Sequence, residues 1–139
     1  MSFDLFVQRF QHGAVATFSR SLLDEVFGRG AIRATLPLKA VEYPNGSHAE
    51  IYAKDGEELS SFMLSHFGGE TVFERVFELA DRTGSIIYWP DVRPALAVTK
   101  SGVIEHVPQD CLSSIGPAEI VANAKALMDY IARPDPTFR

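Results

Sequence analysis

One stretch gathers residue types that can do chemistry together. His66, Gly68 and Gly69 stand before a run with helical spacing, and Trp89, Asp91 and Arg93 stand just after it. An arginine fork can clamp a carboxylate or phosphate, and an imidazole titrates near neutrality. An indole offers an apolar wall, and a Gly-Gly turn into a helix exposes N–H groups that attract anions. A small anion with an apolar part is the ligand these residues would suit. The structural alternative is the stronger one. In that reading Gly68-Gly69 only makes a tight turn and His66 is a satisfied structural histidine. Trp89-Pro90 plugs a sheet end, and Asp91 and Arg93 form a solvent ion pair.

Other constellations are weaker. Cys111 lies five residues from His106, the spacing of a thiol with a base only if the fold brings them together. Glu70, Glu74 and Glu78 form an acidic line at i,i+4 spacing, which is usually a solvated helix face. There is no GxxxxGK[ST] phosphate loop, GxGxxG, GxSxG elbow or HExxH. One cysteine and four scattered histidines give no zinc spacing. No catalytic residue, metal or cofactor is expected.

The elements that must position the first cluster are a strand at 58–66, a helix at 71–82 and a strand at 85–89. If the strands are parallel, this βαβ unit (58–89) brings residues 66–69 and 89–93 to one edge, where open α/β sheets favour ligands. Val72, Phe73, Val76, Phe77 and Ala80 form the apolar stripe of the helix. Earlier come a strand at 3–9 and a helix at about 20–27, with Ser19 as N-cap, Phe18 and Leu23 as staple and Gly28 as its left-handed end. Residues 32–66 read as a three-stranded meander, limited by Pro37 and turning at Pro44-Asn45-Gly46 and Asp55-Gly56. A hairpin of 95–99 and 102–106 is expected after Trp89, then a short helix from Pro108 ending before Gly116. Residues 118–132 admit one long helix, or a strand at 119–122 with Asn123 capping a helix at 124–132; the capping strength of Asn favours the second.

The chain of 139 residues is 46% apolar and has a net charge of −5, which suits one globular domain, 1–139, with a frayed tail at 134–139. The expected fold is α+β. It has a single mixed or mostly antiparallel sheet of about 6–7 strands and about 3–4 helices. Without a cluster of Lys or Arg, neither nucleic acid nor an anionic membrane is expected as a partner; another protein, a basic one in particular, remains open. The start of the chain lacks a signal-peptide pattern, and no apolar run approaches the roughly 18 residues of a membrane span, so a cytoplasmic location is expected.

The strings DLFVQRF, FMLSHFGG, and ELADRTGSIIYWPD followed by PALAVT resemble a group of uncharacterised bacterial proteins, through most of the chain up to about residue 107. The resemblance implies a bacterial source and a small stand-alone domain, and carries no activity. Small acidic α+β domains also occur among the immunity proteins of bacterial toxin systems, a similarity of type alone. The favoured reading is a non-catalytic binding or protein-interaction module, an immunity-like role being one form of it. The alternative is a small enzyme or small-anion-binding protein using the edge of residues 66–69 and 89–93.

Overall fold

A computed structural model describes residues 4–35, 38–89, 95–115 and 117–132. Pro37, Pro90, Asp91, Arg93, Gly116 and the tail 134–139, on which expectations fell, lie outside the described residues.

Strand β1 (Leu5–Gln11) turns into a short partner, β2 (Ala14–Val15), and β3 (Phe18–Ser19) leads into helix α1 (Arg20–Gly28). The Ser19 hydroxyl accepts the Ser21 N–H at 3.1 Å, so the expected cap is in place. Gly28 stays in the helix, and the left-handed glycine is Gly30. Next come β4 (Arg33–Ala34), β5 (Ala40–Glu42), β6 (His48–Tyr52), β7 (Glu58–Leu59) and β8 (Ser61–Gly68). The expected strand at 58–66 is therefore two: β7 pairs with β3, and β8 enters the main sheet.

Helix α2 (Glu70–Thr83) precedes β9 (Ser85–Trp89) and β10 (Ala95–Val98). Residues Ser101–His106 form a 3-10 helix rather than the second strand of a hairpin. Val103 and Val107 bury four positions apart, a helical spacing, and β10 finds its outer partner elsewhere. That partner is β11 (Ala118–Ile120), which follows α3 (Gln109–Ile115) and runs parallel to β10. Asn123 then caps α4 (Ala124–Ala132), its side-chain oxygen accepting the Ala126 N–H at 2.8 Å.

The strand order is β11-β10-β9-β1-β8-β6-β5-β4, with β2 attached to β1. β1 lies antiparallel between β8 and β9, so those two strands run in the same direction without touching. β8-α2-β9 is thus a split βαβ unit. β1-α1-β6 is a second, split by β8. Two interleaved split units make the ferredoxin-like arrangement, here widened by strands at both edges. The described residues form nine strands in the main sheet, two in a small one, and five helices, more than the sequence suggested. Most of the excess is in strands of two or three residues, too short to leave a period.

One face of the sheet packs against α1, α2 and α4 through Leu5, Val7, Phe62, Leu64, Ile87 and Trp89. From α2 the buried residues are Val72, Val76, Leu79 and Ala80, so Phe73 and Phe77 lie half-buried at the margin of the stripe rather than at its centre. The other face is covered beside β9 and β10 by Val103, Val107, Cys111 and Leu112. Among the described residues, no helix is long and apolar enough to cross a membrane.

Candidate functional site

The ends of β8 and β9 reach one edge of the sheet, with the start of β1 between them. There the chain turns through Gly69 at φ +98° into α2. The helix end is met from within the fold: the Thr71 N–H donates to the Ser47 hydroxyl at 3.3 Å, and Asn45 donates to the Thr71 hydroxyl at 2.9 Å. Ser47 is 2% exposed. A Cβ on Gly69 would stand 2.1 Å from the Ser47 Oγ and 2.7 Å from its Cα, so the glycine serves a close approach between two turns.

Trp89 is 4% exposed on the helix-covered face, its ring edge-on to Tyr130 at 5.1 Å. His66 is on the opposite face. Glu50, its partner, sits between Ala49 and Ile51, which both bury against the helices, so Glu50 points away from them. The fold thus keeps His66, Gly68 and Gly69 in one segment but divides His66 from Trp89 by the thickness of the sheet. Asp91 and Arg93 lie outside the described residues.

His66 is placed by an irregularity in the ladder. His48 pairs with Gly68 and Glu50 with Ser65, so His66 and Phe67 together oppose Ala49. His66 takes φ +46°, a left-handed conformation uncommon outside glycine. Its Nδ1 lies 2.9 Å from the Glu50 Oε2 and 3.4 Å from the Ser65 Oγ. A carboxylate only accepts, so Nδ1 carries the proton and donates. Glu50 also accepts the Tyr52 hydroxyl at 2.9 Å. The hydrogen bond from His66, then that from Tyr52, holds the Glu50 carboxyl below its ordinary value. The same bond to Glu50 pushes the Tyr52 hydroxyl up. Ser65 and Glu50 reach the same ring nitrogen, so the three are not a nucleophile relay, which needs one partner on each nitrogen.

His48 is oriented the same way, its Nδ1 donating to the Gly46 carbonyl at 3.2 Å. Both imidazoles line a hollow of about 360 Å³ on the open face. Ala40, a small residue paired with Glu50, leaves the space on this face, and Arg33, Glu42 and Glu50 complete its wall. Arg33 and Glu42 form a loose pair at 3.8 Å.

Beside the hollow, Tyr52, Met63, Phe6 and Tyr88 stand opposite one another across β6, β8, β1 and β9. The Phe6 and Tyr88 rings stack at 5.0 Å and 11°. Tyr52 is 52% exposed and the other three are half-buried. Sequence reasoning missed this surface, although the outward positions of β6, His48, Glu50 and Tyr52, alternate as polar and aromatic side chains on one face.

The remaining candidates do not converge. Burial pushes the Cys111 thiol up, away from the reactive thiolate. His106 instead accepts the His12 N–H on Nδ1 at 3.0 Å, and no hydrogen bond links it to Cys111. Glu78, from the acidic line, pairs with Arg29 and Arg82. Among the described residues, no three His, Cys, Asp or Glu side chains are placed to hold a metal ion. No family model, no curated protein and no solved structure matches the chain.

Proposed function

We propose that this protein is a non-catalytic protein-interaction module that receives its partner on the open half of its sheet, an immunity-like role being one form of this. The observation that carries the reading is the row Tyr52-Met63-Phe6, an aromatic-rich strip on the open half of the sheet whose inner end, Tyr88, packs against the cluster of Val103 and Val107. Partly exposed aromatic and methionine side chains in one contiguous strip are what the buried centre of a protein interface is made from. The sheet face is preferred to the strand-end edge because Ser47 already takes up a free N–H of α2, the source of positive potential on which an anion site there would draw. A net charge of −5 supports a protein partner over nucleic acid or an anionic membrane. The test is co-purification with the product of the neighbouring gene, which is where an immunity-type partner is encoded. Tyr52→Ala and Met63→Glu are expected to weaken capture at least about tenfold with unchanged thermal unfolding. Capture equal to that of the unaltered protein would remove the sheet face from the interaction.

A further inference from the structure

We propose that the hollow walled by Glu42, His48, Glu50 and His66 is a receptor for one basic side chain, an arginine guanidinium or a lysine ammonium, presented by the partner protein; this rests on the interaction reading above.

The Gly46 carbonyl and the Glu50 carboxylate can only accept, so each fixes the Nδ1–H of its imidazole. With the proton on Nδ1, Nε2 of each ring is a lone-pair acceptor with no hydrogen-bond partner among the described residues. The Glu42 and Glu50 carboxylates add acceptors with negative charge. The Thr35 hydroxyl accepts the Lys39 and Ala40 N–H groups, both at 3.1 Å. Two carboxylates stand against a single guanidinium, that of Arg33, whose side chain is 85% exposed and meets Glu42 only at 3.8 Å. The site is therefore rich in acceptors, carries net negative charge, and has one cation that is free to swing away. Its complement is a cationic group with several donors.

Size and surroundings agree. A hollow of about 360 Å³ lies at the small end of ligand sites, the scale of one side chain with its stem. The exposed Tyr52 ring stands next to Glu50, and Asp4 adds negative charge on the same side. A long aliphatic stem could lie over this ring with its charged head beyond it. The left-handed backbone of His66, uncommon outside glycine, is what turns the ring onto this face beside Glu50.

The test is titration of the full chain with acetyl-Ala-Arg-Ala-amide, followed by the NMR signals of the His48 and His66 rings. The control is the peptide with citrulline, the uncharged isostere of arginine, in place of Arg. Saturable shifts of both rings with the arginine peptide, absent with citrulline, are expected. Glu42→Gln and Glu50→Gln, both on exposed side chains, are each expected to weaken binding about two- to fivefold without changing thermal unfolding. Equal binding of the citrulline peptide, no effect of either substitution, or no shift of the rings at all would each overturn the inference. None of these outcomes touches the interaction reading, which stands or falls on Tyr52 and Met63.

Discussion

Among the described glycines, Gly69 is the one whose conformation and surroundings both exclude a side chain. Its φ of +98° disfavours any L side chain, and a Cβ there would enter Ser47. Gly69→Ala is expected to cost about 2–4 kcal/mol in denaturant unfolding, the sum of backbone strain and overpacking. A loss below about 1 kcal/mol would mean that the turn holding Ser47 can retreat. Gly68-Gly69 and His66 were legible as special positions, but not the reason for them. Ser47 comes 22 positions before Gly69, and nothing local in FMLSHFGG says that a distant hydroxyl fills the helix end. The left-handed turn of His66 was equally hidden, since a bulge exists only relative to a partner strand.

At the scale of elements, the helices were the most legible part. The Ser19 and Asn123 caps are local features and are found where the sequence puts them. In the stripe of α2, Val72, Val76 and Ala80 are buried as expected, while Leu79 rather than Phe73 or Phe77 completes the buried face. What the periodicity of α2 did not reveal is its clamp to α1, in which Glu78 bonds Arg29 and Arg82, and Arg82 bonds Glu25. The hydrogen bond from Arg29 is the largest of the effects holding the Glu78 carboxyl below its ordinary value of 4.5. The unfolded chain binds this proton more readily than the folded one. The contribution to stability is therefore complete above the unfolded value and is lost as pH falls through the lowered folded value. Unfolding midpoints of the protein and of Glu78→Gln, measured from about pH 7 down to about pH 3, are expected to differ at the top of that range and converge at the bottom. A constant difference across the range would show that the carboxylate charge contributes nothing to the clamp.

For the whole molecule, strand order was the least legible property, because alternation within FDLFVQR or SIIYW says nothing about neighbours. The insertion of β1 between β8 and β9 decides that Phe6, Met63 and Tyr88 form one row. Aromatic side chains on a sheet face can stack unpaired bases, so shape alone would admit single-stranded RNA. Charge decides against it: the chain carries −5, and the row ends at Tyr52, flanked by Glu50 and Asp4. No binding of a labelled random-sequence RNA is expected at physiological salt. A saturable, salt-dependent rise in anisotropy at micromolar protein would reverse that conclusion. The central place of β1 also bears on biosynthesis. Apart from the short β2, the sheet partners of this strand leave the ribosome well after it, since they begin at Ser61 and Ser85. Until those arrive, Leu5, Phe6 and Val7 lack the strands that flank them in the sheet, and form an apolar segment of the kind that makes an incomplete chain prone to aggregation.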